Sequence, residues 1–206
     1  MAPMSTERFG AAAVALGGAL YVCGGDNGPH CLRSAERFDP ATGTWSNLPG
    51  MSNDRAGAAA AVLAGRLYIC GGFDGRQRLR SAECFDPLEG AWKDVPSMIE
   101  QRVGASAGTL AGRLHVCGGS GSSTYLRSME ILDLSTGLWV QGPEMLAPRS
   151  GQAAAVLGCR LFILGGFDGA WALDSVECFD SVCGTWAAVP SMPVARDGAV
   201  AAVIWR

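Results

Sequence analysis

Histidine is almost missing from this 206-residue chain; only His30 and His115 occur. A metal centre needs several converging ligands, and a hydrolytic triad needs an imidazole beside its nucleophile. His30 and Cys31 are loop neighbours with no further ligand cluster near them in the sequence. Charge is scarce too, at 17% of residues, and the net charge of -3 leaves no polybasic stretch. That composition excludes bulk binding to nucleic acid or to an anionic membrane surface. No apolar run reaches the roughly 18 residues of a membrane helix. The stretch from Gly10 to Gly25 resembles a signal-peptide core. However, GAAAAV and LYIC recur from Gly57 to Cys70, inside the chain, so a repeated strand pair is the better reading. No helical period is present.

Glycine, by contrast, is plentiful at 29 residues, and it is periodic. Glycine pairs begin at Gly24, Gly71, Gly118 and Gly165, each step being 47 residues. Trp45, Trp92, Trp139 and Trp186 keep the same step. A fixed period of this length means one structural unit used repeatedly. The boundaries read as 4–50, 51–97, 98–144 and 145–191, with a partial fifth copy over 192–206.

Every copy opens Met-x-x-x-Arg, with arginines Arg8, Arg55, Arg102, Arg149 and Arg196. A small-residue segment follows, such as GAAAAV at Gly57. Alanine is a poor strand former, so this strand, a, fits a crowded centre. A tight Gly turn leads to strand b, for example LYIC from Leu67, whose continuous apolar run suits burial on both faces. The Gly pair ends strand b, where a Cβ is expected to be forbidden. The b–c loop varies most between copies. Strand c then returns with an invariant Glu (Glu36, Glu83, Glu130, Glu177) and Asp (Asp39, Asp86, Asp133, Asp180). Strand d carries the Trp and ends at a proline, which fits an outer edge. Each copy is therefore a four-stranded antiparallel meander, and such sheets bury both faces by stacking around an axis as the blades of a β-propeller. The periodic Arg is expected to pair with the recurrent Glu; the alternative is a cationic channel mouth that clamps an acidic ligand.

The eight cysteines are an even set, which suggests disulfides. The register argues otherwise. Cys23, Cys70 and Cys117 share a position with Leu164, and Cys84 and Cys178 share one with Arg37 and Ile131. They behave as small buried hydrophobes, and reduced thiols point to a cytoplasmic setting. His115 shares its place with Tyr21, Tyr68 and Phe162, so it reads as a core residue.

The Gly pair, the large residue before it, the later Glu and Asp, and the Trp some twenty residues on resemble the kelch repeat over essentially the whole chain. GGFDGRQRLRSAECFDP in particular is similar to the propeller of Kelch-like ubiquitin-ligase adaptors. The resemblance implies an all-β kelch-type propeller, usually of six blades, that binds a partner protein or peptide at one mouth; with no ligand cluster in the sequence, no cofactor is expected. Six blades would take roughly 280 residues. The chain carries about four, plus one extra inner strand in the fifth copy. The expectation is thus a partial propeller rather than a closed four-bladed ring, with open blade faces able to self-associate.

In a meander the d–a and b–c loops share one face, and these are the variable ones. Recognition belongs there. The family's binding positions map to Asp26, Phe73, Ser120 and Phe167 after the Gly pair. Before the Leu they map to Cys31, Arg78, Tyr125 and Ala172. After the Arg they map to Phe9, Ala56, Val103, Ser150 and Asp197. From these and the loop residues, the candidate site is Phe73, Arg76, Arg78, Arg80, Tyr125, Ser150, Phe167 and Trp171. Three arginines within five residues favour an acidic peptide. The expected function is a non-catalytic protein-interaction module, of the kind that recognises substrates in ubiquitin-ligase-type assemblies. The alternatives are an actin-binding kelch protein and, with less support, a kelch-propeller enzyme.

Overall fold

The computed structural model describes residues 2–203. Among them there is no helix, and so none long and apolar enough to cross a membrane. Sixteen strands form four sheets, each a four-stranded antiparallel meander. Blade one holds β1 (Ala12–Leu16), β2 (Ala19–Cys23), β3 (Ala35–Asp39) and β4 (Thr44–Leu48). Blade two holds β5 (Ala59–Leu63), β6 (Arg66–Cys70), β7 (Ala82–Asp86) and β8 (Ala91–Val95). Blade three holds β9 (Ser106–Leu110), β10 (Arg113–Cys117), β11 (Met129–Asp133) and β12 (Leu138–Gln141). Blade four holds β13 (Ala153–Leu157), β14 (Arg160–Leu164), β15 (Val176–Asp180) and β16 (Thr185–Val189). The strands are those the repeat predicts, in the order a, b, c, d. The chain divides into two compact units, Met1–Val103 and Gly104–Arg206.

In the first unit, strand β1 packs on β5 and β6; in the second, β9 packs on β13 and β14. These a strands are the ones made of small residues, and the packing explains why. A Cβ at Gly108 would come within 2.9 Å of both Leu161 Cδ1 and Val156 Cγ2. Strands b and c supply deeply buried apolar side chains. Leu67, Ile69 and Phe85 join Tyr21 and Met51 in the core of the first unit. Leu161, Ile163 and Phe179 join Leu110 and Met145 in that of the second. The large residue of strand b reaches the next blade: Tyr21 meets Phe85 at 6.1 Å, and His115 meets Phe179 at 5.9 Å. His115 is therefore a core ring, as its place in the repeat predicts. Strand d adds Trp45, Trp92 and Trp186, tilted against Phe38, Phe85 and Phe179 on strand c. Each indole N–H donates to a backbone carbonyl, those of Ala2, Pro49 and Pro143. Packing and a satisfied donor together fix the tryptophan as part of the blade.

The periodic arginine lies inside the blade. Arg55 is fully buried, and all five of its N–H groups are used. Nε and Nη2 donate to Glu83 Oε1 at 3.1 and 2.8 Å. Nη1 donates to the carbonyls of Gly71 and Ser81, and Nη2 also to Ser81 Oγ. The other carboxylate oxygen accepts the Ser52 N–H at 2.7 Å. Arg8 with Glu36 and Arg149 with Glu177 repeat the arrangement. The pairing with the recurrent Glu was the expected role, and it ties strands b and c to the segment that opens strand a. Burial would raise the Glu36 carboxyl, but the Ser5 N–H and hydroxyl and the Arg8 guanidinium outweigh it, so its pKa is lowered. The invariant Asp serves the c–d turn, where Asp86 Oδ1 accepts the Leu88 N–H at 2.9 Å.

Neighbouring copies are joined by backbone. Gly25 N–H donates to Arg55 O at 2.8 Å, and Arg55 N–H to Leu32 O at 3.0 Å. The glycine pair exists for this contact. Gly24 and Gly71 have φ of 65° and 67°, and a side chain on either would collide with the carbonyl of Arg55 or Arg102.

Among the described residues the extra inner strand is not formed. Residues 192–203 are in no strand, and 204–206 lie outside the described residues. The opening itself docks on blade four as the earlier ones dock. Met192 N–H donates to Asp174 O, Arg196 N–H to Leu173 O, and Gly166 N–H to Arg196 O. What fails is the ladder. Each a strand pairs with the b strand of its own copy, and no such strand faces residues 198–203 among those described. Arg196 is accordingly exposed where Arg55, Arg102 and Arg149 are buried.

Replacing Arg55 by Met leaves the Glu83 carboxylate buried without its cation. A loss of about 3–5 kcal/mol is expected in urea unfolding. Lys93→Ala, which removes the exposed pair with Glu89, should cost under about 1 kcal/mol. Burial also depresses the His115 pKa below its ordinary 6.5. Below that pH the unfolded chain binds a proton that the folded chain refuses, so stability falls as pH falls. His115→Phe, the residue of blade four at this place, should flatten that decline in melts run across the same window.

Candidate functional site

The b–c and d–a loops meet where the repeat predicts. In the first, second and fourth copies backbone bridges join the mapped positions into a small three-stranded ribbon, and in the third Ser120 bridges Tyr125. Phe9 bridges Asp26, which bridges Cys31; Ala56 bridges Phe73, which bridges Arg78; Ser150 bridges Phe167, which bridges Ala172. In the second copy Ala56 and Phe73 exchange N–H···O bonds at 2.9 and 2.8 Å. Positions far apart in sequence are thus fixed side by side by backbone alone. The loop tip between them is shaped by an aspartate: Asp74 Oδ1 accepts the N–H groups of Arg76 and Gln77, both at 2.8 Å. Asp168 does the same for Ala170 and Trp171. These N–H groups, Gln77 first at Asp74 and Trp171 first at Asp168, hold both carboxyls below the usual range.

The candidate residues fall into two groups, one in each unit. In the second unit, Tyr125 meets Phe167 edge-on at 5.4 Å, and Ser150 is the bridge partner of Phe167. Trp171 stands 75% exposed at the loop tip. In the first unit, Phe73 is half-buried and Arg76, Arg78 and Arg80 are exposed. Two adjoining cavities open there, of about 590 and 520 Å³, and both are bordered by Asp26, Ala56 and Phe73. Arg76 lines the first cavity and Arg78 the second. Arg80 lines neither; its carbonyl accepts the Met98 N–H. The three arginines therefore do not converge on one point.

The acidic side of the first cavity is not visible in the arginine run. Asp26, Asp54 and Asp74 gather there around His30 and Cys31. Asp54 lies in the d–a loop, and its copies are Glu7, Gln101, Pro148 and Ala195. That variability is the signal that would have found it. Burial first, then the three carboxylates, push the Cys31 thiol up, which suppresses the thiolate and its nucleophilicity. Among the described residues no group of three His, Cys, Asp or Glu side chains could hold a metal ion.

Four-stranded antiparallel meanders, three of them locked by a buried Arg–Glu pair (Arg8–Glu36, Arg55–Glu83 and Arg149–Glu177) and joined through a glycine pair, define a kelch-type β-propeller fold. The solved structure of YjhT shares it, with a TM-score of 0.82 and 15% identity over 94% of this chain and 68% of that one. At that identity the likeness concerns the fold. The sequence goes further: residues 10–205 match the model of the KLHDC2/KLHL20/DRC7 Kelch-repeats domain, and the chain belongs to that kelch-repeat family. No curated protein matches the chain.

Alkylation tests the site's electrostatics. Cys31 should react with iodoacetamide more slowly than a free thiol at neutral pH. Asp54→Asn, which removes one of the three charges, should speed it, as read by peptide mass mapping.

Proposed function

We propose that the chain is a non-catalytic interaction module that takes a segment of a partner protein across the b–c and d–a loops. Kelch domains in general mediate protein–protein interaction, and a rigid ribbon carrying variable residues is the part of this fold suited to it. The observation that carries the reading is the pair of adjoining cavities over Phe73, edged by the exposed guanidinium of Arg78. Arg78 makes no hydrogen bond or ion pair through its side chain among the described residues, so its donors are available to a carboxylate on the partner. Phe73 supplies an aromatic wall, and Tyr125, Phe167, Ser150 and Trp171 offer a second contact patch of the same kind in the other unit. The fold and the two arginine-bearing cavities suit substrate capture of the ubiquitin-ligase adaptor type. The eight unbridged cysteines suit a cytoplasmic setting.

Arg78→Glu should abolish capture of partners from cytoplasmic extract while leaving the circular dichroism and melting curve unchanged. Leu88→Glu, on the opposite c–d turn and 95% exposed, should capture the same set as the unaltered chain. An unchanged partner set with Arg78→Glu would sink this placement of the site.

A further inference from the structure

The cavity pair in the first unit is electrically two-ended. At one end Asp54 and Asp74 face the larger cavity, with Arg76 and His30 on the same lining. At the other end Arg78 borders the smaller cavity, whose remaining lining is largely apolar: Phe9, Gly10, Ala56, Gly57, Phe73 and Val103. Asp26 stands at the join. Phe9 is 80% exposed there, a large apolar side chain left to solvent. The charges differ in how far they are already engaged. Asp74 Oδ1 is occupied by loop N–H groups, and Asp26 Oδ1 accepts the Gly28 N–H. Asp54 and Arg78 make no side-chain hydrogen bond or ion pair among the described residues, although Asp54 is half-buried. A half-buried carboxylate in this condition favours a cation brought by a ligand.

Resting on the interaction reading above, we infer that this groove selects a dipolar peptide segment. The segment carries a large apolar side chain over Phe9 and Phe73, a carboxylate at the Arg78 end and a Lys or Arg at the Asp54 end. A uniformly acidic segment suits the arginine run of the sequence but not the groove, because its second carboxylate would enter beside Asp54 and Asp74. Like charges brought together in a partly desolvated cleft disfavour binding, and this acts as selection against the wrong partner. The two ends also fix chain direction, since reversing the peptide places each charge against its like.

Panning a random-peptide library on the whole chain tests this. The expected consensus is a large apolar residue with a basic residue on one side and an acidic one on the other. Asp54→Lys and Arg78→Glu should each weaken a selected peptide at least about tenfold, the effect of one charged contact. Each should reverse the preference at its own end only, and the double exchange should bind the charge-reversed peptide. Neither side chain makes a hydrogen bond or ion pair among the described residues, so both variants should melt as the parent does. Enrichment of peptides acidic on both sides, or unchanged affinity with Asp54→Lys, overturns the dipolar groove while the interaction site stands. If no peptide is enriched and neither exchange alters partner capture, both readings fall.

Discussion

The buried guanidinium at the start of each blade is the constraint on which the rest depends. It is costly to place, because a charge taken from water needs full compensation. Here the compensation is complete: five donors meet one carboxylate, two carbonyls and a hydroxyl. The carbonyls belong to the end of strand b and the start of strand c, so the Arg holds the base of the b–c loop. Its own backbone meanwhile bonds to the preceding blade. One residue thus fixes a loop within its blade and the contact with the next. The loop tips, such as Asp74 to Arg78, can then change sequence, since the lock uses residues at the loop bases and not these.

Much of the architecture is legible in the sequence because the repeat makes each copy a control for the others. A residue present in every copy, such as Glu83 or Trp92, serves the blade. A residue that changes, such as Arg78 against Tyr125, is released from it. The Arg–Glu pairing and the core placement of His115 follow from that comparison. The fifth copy shows its limit. Its opening matches the pattern, but a strand is defined by its ladder, and GAVAAV has no partner strand to pair with among the described residues. Pattern similarity reports what a segment can do, not whether its neighbour is present.

The candidate site was legible only in part. The bridged triplets, Ala56 with Phe73 and Arg78 for instance, sit where the family resemblance places them. The electrostatics of the groove did not follow. Arg76, Arg78 and Arg80 form one cluster along the chain, but the loop turns between them and sends each to a different surface. Asp54 enters from another loop, which the backbone bridge between Ala56 and Phe73 holds beside the one that carries Asp74. Charge read along a sequence is a sum over neighbours in the chain, whereas a ligand meets neighbours in space.

The glycine-to-carbonyl contact has a consequence for how such chains change length. Gly25 of the first copy receives the carbonyl of Arg55, and Gly166 of the fourth receives that of Arg196, through equivalent atoms. Every junction is therefore cut to one pattern, and the spacing of 47 residues is its gauge. An insertion or loss of a whole period leaves each junction facing a matching half, while any other length change pairs a glycine with the wrong carbonyl. Growth and shrinkage of this fold are accordingly counted in blades. The variable loops travel with them as interchangeable parts, so a new binding surface can be assembled by shuffling without redesign of the scaffold.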